Sequence, residues 1–130
     1  MKKTILTTLA LFVGTIMAYA GADIKFESNT HDFGSFSEKS PKVTCTFKFT
    51  NTGDSPLVIH QAIATCGCTV PLYPKEPIRP GESGEIKVTY NGAGKFPGRF
   101  QKTITLRTNA TSEIVRLVVK GDMTPAVGAE

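Results

Sequence analysis

The sequence lacks the charge clusters and the motifs by which many functions are first recognised. Apart from Lys2 and Lys3, its basic residues are scattered along the chain and never form a run. A protein that follows phosphate groups needs such a cluster, so the sequence argues against nucleic acid and anionic lipid as partners. It also contains no phosphate-binding loop, no nucleotide fingerprint and no paired-carboxylate motif. Its two histidines do not form a catalytic set with a nucleophile, so we expect no enzyme.

A long apolar run is missing everywhere except at the N-terminus. Lys2 and Lys3 precede an uncharged, mostly apolar stretch over residues 5–17, and Ala18-Tyr19-Ala20 fits a small-x-small cleavage site. The sequence therefore predicts a signal peptide over residues 1–20 and a periplasmic or secreted mature protein. Fifteen basic residues less the two lysines, against eleven acidic ones, leave a mature charge of about +2. Because a spanning helix needs about 20 apolar residues, we expect no integral membrane span in the mature chain.

Helical spacing of apolar residues is also missing, whereas alternation with a period of two recurs. In the run from Val43 to Phe49, the residues Val43, Cys45, Phe47 and Phe49 share one face. About seven such short segments, separated by turn signals every 8–12 residues, predict an all-β fold. We expect an Ig-like antiparallel sandwich of two sheets over residues 21–123, followed by a flexible tail over 124–130.

The segment after the first turn is predicted as a strand from Leu57 to Thr65. Strict alternation would place Leu57, Ile59 and Ile63 on one face, with Ala62 and Ala64 on the other. Four prolines follow within ten residues, and proline cannot donate a ladder hydrogen bond, so we expect a loop there (Pro71, Pro74, Pro77 and Pro80).

The most informative feature is Cys66-Gly67-Cys68-Thr69, at the end of that predicted strand. Two thiolates suit a soft ion such as copper(I), which would make the motif a metal site. A disulfide across one intervening residue closes a small strained ring of the labile kind, which would make it a redox site. Glycine also permits a sharp corner beneath which cysteine packs well, so a purely structural role is a third interpretation.

Two further residues bear on this motif. Cys45 lies on the inner face of its predicted strand, as a buried thiol would, but it could instead pair with Cys66 or Cys68. That bridge would close a loop of about 20 residues and contribute about 3 kcal/mol. His31 is a candidate auxiliary metal ligand, although its place in a short edge segment favours a side-chain hydrogen bond to nearby backbone. Zinc would need four ligands, and the spacing of these residues matches no zinc pattern.

Several short pieces of the chain resemble the bacterial Ig-like family known as domain of unknown function 1573. The most specific is Cys66-Gly67-Cys68-Thr69, and others are His31-Asp32-Phe33-Gly34, Phe47-Lys48-Phe49-Thr50-Asn51-Thr52-Gly53, Gly98-Arg99-Phe100, Thr108-Asn109 and Lys120-Gly121-Asp122. The resemblance covers nearly the whole mature chain and implies an Ig-like sandwich exported by Gram-negative bacteria. It implies no reaction. The layout is also similar to the major-sperm-protein and PapD-like group, whose members are mostly binding modules.

These observations favour an exported, non-enzymatic module that binds or scaffolds another protein or a component of the bacterial envelope, without a cofactor. The alternative is a thiol-based function through Cys66 and Cys68, either copper(I) binding or disulfide exchange.

Overall fold

A computed structural model of the protein describes residues 21–126. The predicted signal peptide over residues 1–20 lies outside this range, as do the last four residues of the predicted tail. Within it the chain forms eight β-strands: β1 (Ile24–Phe26), β2 (Thr30–Ser37), β3 (Lys42–Asn51), β4 (Ile59–Ala64), β5 (Thr69–Leu72), β6 (Ser83–Asn91), β7 (Gly98–Thr108) and β8 (Ile114–Thr124). No helix in this part of the chain is long and apolar enough to cross a membrane.

The strands form two four-stranded sheets, which confirms the predicted all-β sandwich. One sheet has the order β1-β3-β6-β5 and the other the order β2-β8-β7-β4. Apolar side chains alternate along the central strands and meet between the sheets, because successive residues of a strand point to opposite faces. The largest fully buried apolar side chains are Phe49, Leu57, Ile86, Ile104, Leu106, Leu117 and Met123.

Two features differ from the predicted antiparallel arrangement of about seven strands. Strand β2 pairs with β8 in parallel, and a bulge interrupts their register between Asp32 and Ser35. The segment Thr69–Leu72, predicted as loop, forms β5 at the edge of its sheet and pairs with β6. Its Pro71 is tolerated there because one side of an edge strand needs no donor.

The predicted faces of the fourth strand are wrong beyond its first residues. The pairing of β4 with β7 shifts between Ile59 and Gln61, and this irregularity inserts one residue into the alternation. Ala62 and Ala64 therefore pack against the core, whereas Ile63 points outward and is 48% exposed. The strand also begins at Ile59, because Leu57 instead forms an isolated bridge with Ile78.

Strand β8 ends at Thr124, the first residue of the predicted flexible tail. After it, the backbone N–H of Ala126 donates to Oε2 of Glu38 over 2.7 Å. The first two residues of the predicted tail that follow Thr124 are therefore held against the loop after β2.

Candidate functional site

The Cys-Gly-Cys-Thr motif forms the corner through which the chain leaves one sheet and joins the other. Cys66 and Cys68 are joined by a disulfide in the link between β4 and β5. Backbone hydrogen bonds hold both ends of the corner: Thr69 N–H donates to Cys66 O over 3.1 Å, and Asn91 N–H donates to Cys68 O over 2.8 Å. The Cys68 N–H also donates to Cys66 Sγ over 3.1 Å. The corner is thus ordered by the strands that flank it.

Gly67 lies exposed at the tip of the corner, between two half-buried cysteines. Its φ lies outside the left-handed region, and a Cβ at this position would meet no atom within 4 Å. The corner therefore does not require glycine for its backbone conformation or for space. Thr69 by contrast is buried, and its Oγ1 lies 3.6 Å from Cys68 Sγ.

The disulfide limits what the corner can do. Metal ions bind the thiolate form of cysteine, so the oxidised pair offers no ligand until it is reduced. Within residues 21–126, no group of three or more His, Cys, Asp and Glu side chains is arranged to hold a metal ion. The chemistry open to the pair as it stands is thiol–disulfide exchange.

His31 and the two cysteines lie on opposite edges of the same sheet. His31 is in β2, whereas the cysteines follow β4, and β8 and β7 lie between these strands. Three strand spacings separate the edges by about 14 Å. The His31 ring packs against Phe33 with centroids 4.9 Å apart. The fold therefore does not bring His31 to the corner as an auxiliary ligand.

Cys45 is a free thiol in the core, and the alternative bridge to Cys66 or Cys68 is not formed in this structure. It is 7% exposed and faces the interior from the middle of β3. Burial raises the pKa of this thiol to about 11, because the charged thiolate is poorly solvated there. Cys45 is thus protected from the chemistry that the corner offers.

Two asparagines in the family-like pieces hold one end of the sandwich together, a role that sequence analysis missed. Asn51 is fully buried, and its Nδ2 donates to Ser55 O and Ile78 O while its Oδ1 accepts from the N–H of Gly53. Asn109 bridges to the start of β4, accepting from Val58 N–H at 2.8 Å. The signal was present in the turn-like composition around Asn51, which includes its partners Gly53 and Ser55, but Ile78 lies far from Asn51 in the chain and Val58 lies far from Asn109.

Three other family-like pieces converge at a groove of about 600 Å³ beside the bulge in β2. Its charged lining is mixed, with carboxylates from Asp32 and Asp122 beside the cationic groups of Arg99 and Lys120. Below it lies an aromatic cluster, in which Tyr90 stacks on Phe100 at 3.9 Å. The groove therefore favours neither charge sign.

Three of the four sheet edges are closed to a further strand. Strand β1 has only three residues, and the N–H of Ile24 donates to Oδ1 of Asp23. Strand β2 is broken by its bulge, where the Gly34 N–H donates to Asp32 Oδ1 at 2.8 Å. Short edges, bulges and self-satisfied donors are common protections against edge-to-edge pairing.

Strand β5 is closed by its own sequence. Because Asn91 N–H bonds Cys68 O, alternation along the antiparallel ladder turns the backbone groups of Thr69 and Pro71 away from β6. The Thr69 N–H is already donated to Cys66 O, and Pro71 has none. Both outward donor positions of this edge are therefore blocked.

Strand β4 is open only over its last three residues, because Tyr73 Oη donates to His60 O over 3.3 Å and Leu57, before the strand, pairs with Ile78. The Thr65 N–H bonds Thr103 O, so the same alternation directs Ile63 and Thr65 toward β7. The N–H and C=O groups of Ala62 and Ala64 then point away from the sheet, and no other group within residues 21–126 bonds them. Sequence analysis could not find this edge, because it depends on which strand β4 pairs with.

Comparison with solved structures shows a widely used fold. A protein of unknown function from Porphyromonas gingivalis W83 aligns with a TM-score of 0.69 and 16% identity, over 83% of this chain and 50% of that one. The PapD-like domain 7 of human CEP192 aligns with a TM-score of 0.65 and 9% identity, over 92% and 98%. The E. coli chaperone DraB aligns with a TM-score of 0.56 and 12% identity, over 81% and 56%.

These likenesses show the fold alone, and this chain spans half the length of the P. gingivalis protein. No curated protein matches the sequence. A family model described as "Protein of unknown function (DUF1573)" matches residues 24–123, which include the Cys-Gly-Cys corner and all eight strands except the last residue of β8. The chain therefore belongs to the DUF1573 family.

Proposed function

We propose that this protein is an exported, non-enzymatic module of the bacterial envelope that binds another protein, which adds an extended segment to β4. The observation that carries the proposal is the open backbone edge at Ala62 and Ala64. In strand addition, main-chain hydrogen bonds supply affinity, and side chains at alternate positions supply specificity.

The surroundings of this edge support the proposal. Ile63 points outward from the middle of β4, and the neighbouring edge strand β5 exposes Val70 and Leu72. Large exposed apolar side chains beside an open edge commonly mark a contact surface. At the level of the fold, DraB, which shares this sandwich, is itself a chaperone.

Site-specific photo-crosslinking tests the proposal in the native host. A photoreactive phenylalanine analogue replaces Ile63 in the full chain with its leader, and a matched variant carries it at Thr46, an exposed position in the middle of β3. We expect the protein in the envelope fraction and a discrete protein adduct at position 63 alone. Retention in the cytoplasm, equal labelling at both positions or no adduct at position 63 would contradict the proposal.

A second candidate function is disulfide exchange at the corner, favoured by the half-exposed Cys66–Cys68 bridge. A substrate thiolate would attack one sulfur to form a mixed disulfide and release the other as a thiolate. A second substrate thiolate would then attack the substrate sulfur of the mixed bond, which leaves a substrate disulfide and the reduced cysteine pair. After reduction, the two thiolates could also bind copper(I). Equilibration of the bridge with defined glutathione mixtures tests exchange, and a bridge that remains oxidised across them would count against it.

A further inference from the structure

We infer that the segment accepted by β4 carries an acidic side chain and, two residues away on the same face, an apolar one. This inference rests on the proposed function and names the chemistry of the partner. It follows from the side chains on the outer face of the sheet beside the open edge. An added strand would lie next to β4 and continue that face, so its side chains would lie opposite the cross-strand rows of side chains on β4, β7 and β8.

The first of these rows is cationic. Gln61 of β4 lies opposite Arg107 of β7, and Arg107 lies opposite Ile114 of β8. The guanidinium of Arg107 reaches toward the open edge and donates from Nη1 to Oε1 of Gln61 over 3.4 Å. A carboxylate on an added strand, opposite Gln61, could reach back to this guanidinium and form a charge-assisted hydrogen bond.

The next row is apolar at the edge and cationic behind it. Ile63 of β4 lies opposite Thr105, and Thr105 lies opposite Arg116. An apolar side chain opposite Ile63 would cover an isoleucine that is 48% exposed. Neither row contains an acidic residue, so a basic partner would meet only repulsion from Arg107 and Arg116.

Two matched peptides test this chemistry on the purified protein. Both present threonine on one face and alternate valine with a charged residue on the other: Thr-Val-Thr-Glu-Thr-Val-Thr-Glu-Thr-Val, and its counterpart with lysine in place of glutamate. We expect the glutamate peptide to bind at least tenfold more tightly by fluorescence anisotropy, and salt to reduce that difference. The Arg107→Gln variant should lower the preference while keeping residual binding of both peptides.

Backbone dependence is tested with Ala64→Pro, which removes an outward N–H without removing a bond to β7, and Ala64→Ser is its matched control. Far-UV circular dichroism checks that both variants fold. We expect the proline variant to lose binding and the serine variant to keep it. Equal affinity for the two peptides, unchanged binding by the proline variant, or dimers that disappear on Ala64→Pro would each overturn the inference. A position-63 adduct in the host beside equal affinity for the two peptides would leave the proposed function standing, whereas unchanged binding by the proline variant would count against strand addition itself.

Discussion

Replacing both cysteines of the corner by serine is expected to lower the free energy of unfolding by about 1.6 kcal/mol. The bridge closes a loop of three residues, from Cys66 to Cys68, and the chain-entropy model assigns a loop of that size about this value. Serine at position 66 keeps an acceptor for the Cys68 N–H, and the bonds of Thr69 and Asn91 to the corner backbone do not involve sulfur. The loss should therefore come from the cross-link alone.

Urea unfolding at pH 7, followed by tyrosine fluorescence and far-UV circular dichroism, measures this loss. The wild-type protein under a phosphine reductant should unfold at the same urea concentration as the double serine variant. A bridge between Cys45 and the corner would instead contribute about 3.4 kcal/mol, because its loop has about 22 residues. A loss near that value, or no loss, would refute the assignment of a local bridge.

Three further predictions concern the interior. Asn51→Ala removes hydrogen bonds to Ser55, Ile78 and Gly53 and should cost about 3 kcal/mol in a urea melt, because the Ser55 carbonyl and the Gly53 N–H lose their partner, whereas Ile78 O keeps the Leu57 N–H. Gly84→Ala places a Cβ 2.6 Å from Cζ of Phe49 and should cost about 1–3 kcal/mol, whereas Gly67→Ala should leave the melting temperature nearly unchanged. The pKa of Cys45 rises from 9.0 to about 11 on folding. Between these pH values the unfolded state holds fewer protons than the folded state, so the free energy of unfolding falls as the pH rises. This contribution is about 1.4 kcal/mol per pH unit, and the Cys45→Ala variant should lack it.

The sandwich could be predicted because its central strands keep a strict alternation. Along β3, Cys45, Phe47 and Phe49 are all buried, as the period of two requires. The same alternation predicts the wrong faces for strand β4, because one irregular residue between Ile59 and Gln61 moves the side chains of all later residues of the strand to the opposite face. Local composition does not specify such a shift.

The candidate site was only partly within reach of sequence analysis. The Cys66-Gly67-Cys68 corner was recognisable from its spacing, and Pro71 could have marked β5 as a protected edge. The open edge at Ala62 and Ala64 was not, because two alanines have no chemical signature. Their outward N–H groups follow from pairing with β7, which lies about 40 residues further along the chain.

Residue-resolved amide hydrogen exchange of the free protein tests most directly whether β4 is available to a partner. The account predicts rapid exchange at Ala62 and Ala64 and slow exchange at Ile63 and Thr65 between and beside them. Equally slow exchange at all four amides would mean that something already covers this strand, and would contradict the account.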